Sequence, residues 1–559
     1  MADQATRRSL LAGLLDRAVG WALGLPAETG GYTTQPTRVP LPDGIVLTAD
    51  LYRPVDHGPL GTILIRSPYG RGIVFSLILA RVFAARGYQV LFVSSRGTFG
   101  STGAFDAGYC EAEDGQNVVA WMRSQLWYTG TFATLGSSYL GFTQWALLSD
   151  PPPDMVAAII MVAPHDFSER IWGTGSFAMQ QHVSWSDTIM NQETRGVWQQ
   201  MMLVRDPGRL DSLMKSVPLE PALKRHFGDR APWLFRNISH PDLNDESWAP
   251  LKQGKALEKA NVPILLVTGW HDIFFEQTME QYRALNQRGC VLALRIGSGG
   301  HLDAYGPGDS TRETLQWLNT HLARKPLGEQ LPAVRLRRCG DAPKWLELPN
   351  WPPPTSNQVL FLAKDGKLSY EQSPNSYASK FTFDPLDPTP TVGGPIMIGG
   401  GSVDDTALCE RADVITFTTA LLAKALDIIG RPSIDLLHSS DNPFCDLFVR
   451  LSVVDAQGKS RNITEQYRRI SATREQRLIA LDLPDTAYRV PAGSSIRLVV
   501  AGGCFPKYAF NLGSGEDPAT GTTLRPARHV VHYGGESVSC LVLPVLPDLQ
   551  DWQAFQKIS

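Results

Sequence analysis

A serine between a short strand and a helix is the residue of this chain best suited to do chemistry. Thr131–Leu135 is apolar and favours a strand, and Leu140–Leu148 favours a helix that stops before three prolines. A serine on such a turn has strained dihedrals and an exposed hydroxyl, and the next backbone N–H faces the same space. Gly136 leaves room for the turn two residues before Ser138, so Ser138 is the candidate nucleophile rather than Ser137.

The glycine pattern around this serine departs from the usual one at a single position. Turns of this kind carry a second glycine two residues after the serine. This chain has Leu140 at that position, and Gly141 follows one residue later. Taken alone, the segment is therefore also compatible with an ordinary glycine–serine loop, and catalysis requires partners elsewhere in the chain.

Two later residues could activate the serine. A hydroxyl needs a base within hydrogen-bonding reach, and the base needs an acceptor that fixes its tautomer. In the α/β-hydrolase order, the acid and then the histidine follow the serine, in loops at the carboxyl ends of parallel strands. Asp272 lies just past the apolar run Pro263–Val267, and His301 lies just past Val291–Ile296. They are the predicted acid and base, with His165 as the alternative base.

The order of apolar segments predicts the fold that would bring these residues together. Residues 36–165 alternate β-branched strands with apolar helices, and the alternation returns in residues 256–325, which predicts a mostly parallel sheet covered on both faces. Residues 166–255 are rich in Trp, Met, Gln and Arg and predict an inserted helical cap. Residues 326–559 contain short strands separated by turns, which predicts an antiparallel β-sandwich.

The first 35 residues predict an N-terminal extension. Its apolar residues recur at helical spacing and favour an amphipathic helix lying on the folded body; they are Leu10, Leu11, Leu14, Ala18, Val19 and Ala22. The pair Arg7-Arg8 before the leucines faintly resembles a twin-arginine export signal. Asp16 and Arg17 interrupt the apolar stretch too early for a signal core. We therefore expect a cytoplasmic protein, with export as the alternative.

Composition excludes several classes of function. The chain has 559 residues, enough for several domains, and a net charge of −3 with no basic stretch that would follow a phosphate backbone. The seven cysteines are scattered, and no CxxC or HExxH spacing occurs, which argues against a disulfide framework and a zinc site. No window is long and apolar enough for a membrane span. We expect no metal, no organic cofactor and no nucleic-acid partner.

Several further segments, in order along the chain, resemble one family of hydrolases. They are Ser67–Tyr69, Ser95–Gly103, Gly136–Trp145, Gly269–Asp272, Ser439–Asp446 and Cys504–Asn511. They resemble segments of the CocE/NonD family, the S15-type group of cocaine esterase and X-Pro dipeptidyl-peptidase. The resemblance extends over nearly everything from about residue 36 onward.

This resemblance implies an α/β-hydrolase core with a helical cap and a C-terminal jelly-roll domain. It implies that Ser138 is the nucleophile, Asp272 the acid and His301 the base. It also implies an oxyanion hole made by the Tyr69 hydroxyl and the Tyr139 backbone N–H. Aromatic packing is the alternative role for Tyr69.

The residues around the predicted site also bear on the substrate. Members of this family that bind a free amino group carry carboxylates in the acyl pocket, whereas Asp272 is followed by three apolar residues that include Phe274. With Trp172 and Trp185 from the cap, this predicts an apolar or aromatic acyl pocket, although packing within the cap is the alternative for both tryptophans.

We therefore expect a serine carboxylesterase that acts on small-molecule esters. An X-Pro dipeptidyl-peptidase or acylase that cleaves amide bonds is the alternative. A third alternative is an inactive core whose jelly-roll domain binds a carbohydrate or a partner. The sequence leaves a homodimer open.

Overall fold

A mixed β-sheet forms the centre of the N-terminal part of the molecule. The computed structural model describes residues 5–195, 206, 208–303, 306–325, 330–471 and 475–546. Six neighbouring strands run parallel, in the spatial order Gln89–Ser94, Thr62–Ser67, Phe132–Ser137, Met155–Met161, Ile264–His271 and Leu292–Gly300. Antiparallel strands extend one edge: Val46–Pro54, Tyr32–Pro40 and Thr6–Arg7.

Helices cover both faces of this sheet because its strands are apolar on both sides. Leu64 contributes to the core on one face, whereas Ile63 and Ile65 contribute to the core on the other, as the two-residue period of a strand requires. The helical segments of this part are Ile73–Ser76, Leu77–Arg81 (a π-helical turn), Val82–Ala84, Glu111–Arg123, Tyr139–Leu148, Gly254–Lys259, Phe275–Gln287 and Pro307–His321.

The sheet continues past the predicted domain boundary. Val334–Gly340 runs parallel to Leu292–Gly300 and pairs with Lys344–Leu348 in an antiparallel hairpin. The predicted boundary near Lys325 falls at the edge of the described residues, since residues 326–329 lie outside them. The first two strands of the C-terminal part thus complete the edge of the hydrolase sheet before the sandwich begins.

The C-terminal part consists mainly of antiparallel strands around a second apolar core. The strands are Ser356–Ala363, Lys367–Ser369, Tyr377–Phe383, Val414–Thr418, Leu426–Gly430, Ser433–Ser440, Phe444–Val454, Ser460–Ser471, Arg477–Asp482, Thr486–Val490, Ser495–Ala501, Ala527–Tyr533 and Cys540–Val545. A short helix, Thr406–Cys409, and a 3₁₀ segment, Lys364–Gly366, interrupt them. Along many of these strands buried and exposed residues alternate, which is typical of a sandwich whose sheets each have one solvent-exposed face.

The cap is helical and packs on both other parts. Its helices are Phe167–Trp172, Met179–Asn191, Asp211–Met214, Leu219–Phe227, Pro232–Ser239 and the 3₁₀ segment Glu246–Leu251. The Ser176 hydroxyl donates to the Ala509 carbonyl oxygen at 2.6 Å, so the cap is joined to the C-terminal domain by a buried hydrogen bond. This contact holds the cap over the carboxyl ends of the parallel strands.

The N-terminal helix forms, but its apolar stripe does not provide the buried face. The helix spans Leu10–Ala22, and its buried residues are Gly13, Asp16 and Gly20. Leu10 and Leu11 are exposed, because the buried Asp16 carboxylate pairs with Arg81 of the body and with Arg8, which precedes the helix, and so turns the polar face inward. Across the described ranges, no helix combines the length and the apolar composition that crossing a bilayer requires.

Candidate active site

Ser138 lies on a strained turn at the carboxyl end of a central strand. It connects Phe132–Ser137 to the helix Tyr139–Leu148, with φ 57° and ψ −122°. This positive φ is unfavourable for a residue with a side chain, and such strain is concentrated at functional sites. The Ser138 N–H donates to the Met161 carbonyl oxygen at 2.8 Å, which fixes the turn to the neighbouring strand.

Two glycines, Gly136 and Gly141, allow close packing around this turn, and their positions account for the unusual glycine spacing. A Cβ atom on Gly136 would lie 2.3 Å from the Leu140 Cβ, so only glycine is tolerated there. A Cβ atom on Gly141 would lie 2.3 Å from the Ala163 Cβ. The second glycine is therefore required where the helix approaches the adjacent strand end, one residue later than the usual pattern.

The structure brings Ser138, His301 and Asp272 into one hydrogen-bonded chain. The His301 Nε2 lies 2.9 Å from the Ser138 Oγ, and the His301 Nδ1 lies 2.7 Å from the Asp272 Oδ1. The carboxylate can only accept at Nδ1, so that nitrogen carries the proton and Nε2 is left to accept from the serine hydroxyl. This is the arrangement in which a histidine acts as general base toward a serine.

Local backbone geometry holds the acid and the base in place. Asp272 follows the strand Ile264–His271 directly, is 1% exposed, and accepts a second hydrogen bond from the Thr268 hydroxyl at 3.0 Å. His301 follows the strand Leu292–Gly300 directly. A Cβ atom on Gly299 would lie 2.3 Å from the Asp303 carbonyl oxygen, so the approach to His301 needs glycine.

The other candidate histidine lies elsewhere. His165 is buried, and its ring contacts the Gln281 amide at 3.3 Å and the Glu280 carboxylate at 3.7 Å. Its described contacts do not include Ser138. The alternative base is thus separated from the nucleophile, while His301 is in contact with it.

Tyr69 presents its hydroxyl beside the nucleophile. The Tyr69 hydroxyl accepts a hydrogen bond from the Trp185 indole N–H at 3.0 Å and interacts with the Ser138 side chain. Burial raises the pKa of Tyr69 to about 12, so the phenol keeps its proton at neutral pH. Because Trp185 supplies a donor, the Tyr69 proton is available for an acceptor in the site.

Tyr139 directly follows the nucleophile and begins the next helix. As the first residue of the helix it has no carbonyl within the helix to accept its N–H. Its side chain is held away from the reacting atoms, since the Tyr139 hydroxyl donates to the Glu111 carboxylate at 2.9 Å and accepts from the Gly108 N–H at 2.8 Å. Its ring stacks on the Trp185 ring, with the two ring centroids 6.0 Å apart. The side chain therefore fixes the position of the backbone donor.

A small cavity opens at Ser138. It has a volume of about 40 Å³, and Trp185, Phe167 and Phe274 form much of its apolar wall. Met397 also lines it, so the C-terminal part reaches the site directly. Among the described residues, no group of three His, Cys, Asp or Glu side chains is arranged to hold a metal ion.

Sequence patterns did not single out the polar wall of this cavity. Gln181, His182 and Asn237 line it, whereas Trp172 does not. Trp172 is buried in the cap core, where its indole N–H donates to the Asn237 carbonyl oxygen at 2.7 Å. The four-residue spacing from Gln181 to Trp185 on one helix was a usable signal, because residues four apart share a helix face.

Two family models and a curated relative match this chain over most of its length. Residues 43–303 match the model of X-Pro dipeptidyl-peptidase (S15 family), and residues 327–542 match the model of the X-Pro dipeptidyl-peptidase C-terminal non-catalytic domain. A cocaine esterase from Rhodococcus sp. (strain MB1 Bresler) is 26% identical, over 91% of this chain and 97% of that protein.

Two solved structures share the fold over most of its length. An aminopeptidase from a marine sediment archaeon, Thaumarchaeota archaeon, is 19% identical with a TM-score of 0.80, covering 93% of this chain and 98% of that one. An α-amino acid ester hydrolase is 19% identical with a TM-score of 0.75 and the same coverage. The two domain models match this chain in order, and with the cocaine esterase relative they confirm its resemblance to the CocE/NonD, S15-type hydrolases.

Proposed function

We propose that this protein is a serine hydrolase that cleaves carboxylic esters through an acyl-enzyme on Ser138. The observation that carries the proposal is the chain of hydrogen bonds from Ser138 through His301 to Asp272, at 2.9 and 2.7 Å. The cocaine esterase among its relatives is consistent with ester chemistry.

The first half of the reaction forms the acyl-enzyme. His301 Nε2 accepts the Ser138 proton as the Oγ attacks the ester carbonyl carbon, and a tetrahedral oxyanion forms. Asp272 stabilises the imidazolium that results. The proton then passes from His301 to the alkoxy leaving group, the C–O bond breaks, and an alcohol departs. In the second half, water attacks the acyl carbon with His301 again as base, which releases the acid and restores Ser138.

Charge on the oxyanion would be stabilised by two donors. We assign these roles to the Tyr69 hydroxyl, which interacts with the Ser138 side chain, and to the Tyr139 N–H, and the helix that begins at Tyr139 adds the positive end of its dipole. Because these donors are fixed before reaction, they stabilise the transition state more than the planar ester.

The cavity favours a short acyl group. A volume of about 40 Å³ gives room for about three water-sized groups. We therefore expect acetyl and butyryl esters to be better substrates than benzoyl esters, with Trp185 and Phe274 contacting the acyl chain. Trp172, which was expected in the acyl pocket, would contribute by holding Asn237 in place.

Amide hydrolysis is the second candidate, because the matching family model is that of a dipeptidyl-peptidase. A dipeptide substrate presents a free ammonium group that needs a carboxylate partner. The residues that line the Ser138 cavity include no Asp or Glu. The charge of the pocket therefore favours esters over aminoacyl-proline amides.

The test compares p-nitrophenyl acetate, butyrate and benzoate with alanyl-prolyl-p-nitroanilide, for wild type, Ser138→Ala and Ser137→Ala. Ser137 is the matched control, since it is the adjacent serine at the end of the same strand. We expect Ser138→Ala to lower kcat for the esters by at least roughly 10³-fold, and Ser137→Ala to retain the same order of activity.

Two results would contradict the proposal. Faster turnover of the anilide than of every ester would identify the protein as a peptidase. Equal ester turnover in wild type and Ser138→Ala would remove Ser138 as the nucleophile.

A further inference from the structure

Two carboxamide oxygens in the Ser138 cavity have no hydrogen-bond partner. The Gln181 Oε1 and the Asn237 Oδ1 are fully buried, and neither accepts a hydrogen bond from any described residue. The two side chains are 6% and 5% exposed. Of the residues that line this cavity, these two are the ones with such a buried unpartnered atom. Leaving a buried acceptor unpaired costs free energy. Two such acceptors in one cavity therefore indicate a bound ligand that donates hydrogen bonds to them.

Both residues are held rigidly by the cap. Gln181 lies on the helix Met179–Asn191, four residues before Trp185, which donates to the Tyr69 hydroxyl. Asn237 lies on the helix Pro232–Ser239, and its backbone carbonyl accepts the Trp172 N–H at 2.7 Å. Their backbones are therefore fixed relative to the nucleophile, and only the carboxamide groups are free to pair with a ligand.

The wall around them is polar but uncharged. Among the described residues that line the cavity, none is Asp, Glu, Lys or Arg. His182, the remaining polar neighbour, contacts the Ala178 carbonyl oxygen through its Nδ1 at 3.0 Å, and burial lowers its pKa to about 4. A substrate cation or anion would lose its hydration here without gaining a counter-charge. The cavity thus suits a neutral group that forms hydrogen bonds.

We propose that Gln181 and Asn237 select esters whose short acyl chain carries a hydroxyl group. A hydroxyl both donates and accepts, so it pairs with a carboxamide in either orientation of its oxygen and nitrogen. With a volume of about 40 Å³, the cavity admits a hydroxylated chain of a few heavy atoms. This inference rests on the proposed ester hydrolysis at Ser138 and adds the substrate class that the site prefers.

Matched neutral esters test this preference. The kcat/KM values of ethyl butyrate, ethyl 2-hydroxybutyrate and ethyl 3-hydroxybutyrate are measured by acid release, with ethyl 3-aminobutyrate as the cationic comparison. Each ester is also measured as a competitive inhibitor of p-nitrophenyl acetate hydrolysis, so that a slow substrate still yields a Ki. We expect one hydroxybutyrate to exceed ethyl butyrate by about 10-fold or more, because the plain ester leaves the buried acceptors unpaired.

Variants then connect the preference to the two side chains. Gln181→Leu and Asn237→Leu should each reduce the hydroxybutyrate-to-butyrate ratio by about 10-fold, mostly by lowering turnover of the hydroxy ester. Thr188→Ala, on the exposed face of the same helix, should leave the ratio unchanged. If a variant does not fold, the wild-type comparison of the matched esters still decides the question.

The outcomes separate this inference from the proposed function. Ser138-dependent hydrolysis with ethyl butyrate equal to or better than both hydroxy esters would overturn the substrate class alone. A hydroxyl preference that survives both leucine variants would overturn the assignment to Gln181 and Asn237. Absence of any Ser138-dependent ester turnover or competition would remove the proposed function, and this inference with it.

Discussion

Two cavities of the molecule differ in size and charge: one is lined by Ser138, and the other by His271 and Gly300, which directly precede Asp272 and His301 in the sequence. The cavity at Ser138 has a volume of about 40 Å³ and an uncharged wall. The cavity between the hydrolase core and the C-terminal domain has a volume of about 860 Å³ and is lined by charged side chains that include Asp455 and Lys459. It reaches His271, next to the acid, yet its lining residues do not include Ser138.

This difference in size and charge bears on where an oxyanion would be stabilised best. An oxyanion gains most from fixed donors where water is excluded, because the local dielectric is low and the donors need not reorganise. A large charged cleft is open to water that screens such interactions. We therefore expect the reaction in the small cavity, although the large cleft holds more polar groups.

The largest expected difference between the two cavities concerns their carboxylates. Asp272→Asn should lower kcat by roughly 10³- to 10⁴-fold, because an amide favours the wrong tautomer of His301 and cannot stabilise its cation. Asp455→Asn, in the large cleft, should change kcat by less than about twofold, since an asparagine can still accept from the backbone N–H groups of residues 457 and 459. Comparable losses in the two variants, measured with p-nitrophenyl butyrate, would contradict the separation of roles.

A smaller effect is expected from the phenol of the small cavity. Tyr69→Phe removes one oxyanion donor and should lower kcat by roughly 10²- to 10³-fold with little change in KM. Tyr370→Phe, at an exposed tyrosine, is the matched control and should have no effect. Steady-state kinetics of both variants decide the matter, and a rise in KM alone would assign Tyr69 to substrate packing instead.

The smallest expected effect is on the free energy of unfolding, and it involves one histidine in each cavity. Burial lowers the pKa of His182, in the small cavity, and of His271, in the large one, to about 4 from 6.5. Between pH 6.5 and 4 the unfolded chain therefore binds protons that the folded chain does not, so the free energy of unfolding falls as the pH falls. Each imidazole should cost about 2 kcal/mol at pH 5.

Denaturant unfolding at pH 7.5, 6.5 and 5 measures this loss. His271→Gln should reduce the loss between pH 7.5 and 5 by about 2 kcal/mol. An identical pH dependence for wild type and His271→Gln would show that His271 is not held neutral by burial.

The fold class and the family resemblance were predicted from the sequence and are confirmed by the comparisons. Buried strands were the clearest elements, since an apolar run with turns at both ends admits few alternatives; the apolar run Pro263–Val267 lies in the strand Ile264–His271 except for its first residue. The strand Leu292–Gly300 is longer than the predicted Val291–Ile296. Its glycines suggested a loop, but pairing with Ile264–His271 keeps the backbone extended.

The three residues that the structure joins by hydrogen bonds, Ser138, Asp272 and His301, were accessible to sequence reasoning because they follow strands of one parallel sheet, whereas the oxyanion pair was implied by the family resemblance and stays a prediction. The polar side of the cavity was not, because Gln181 and Asn237 lie on cap helices whose packing has no sequence period of its own. The same limit applies to Trp172, whose type suggested a pocket wall while the tertiary fold placed it in the cap core. The N-terminal helix buries a different face from the predicted one for another reason: the ion pairs of Asp16, and not the leucine stripe, determine which face packs on the body.

Site mapping of a fluorophosphonate label tests the central claim most directly. The probe phosphonylates an activated serine, and peptide mass spectrometry identifies the modified residue in wild type, Ser137→Ala and Ser138→Ala. The account predicts one stoichiometric label on Ser138 in the first two proteins and none in the third. A label that persists in Ser138→Ala, or the absence of any label on wild type, would contradict it.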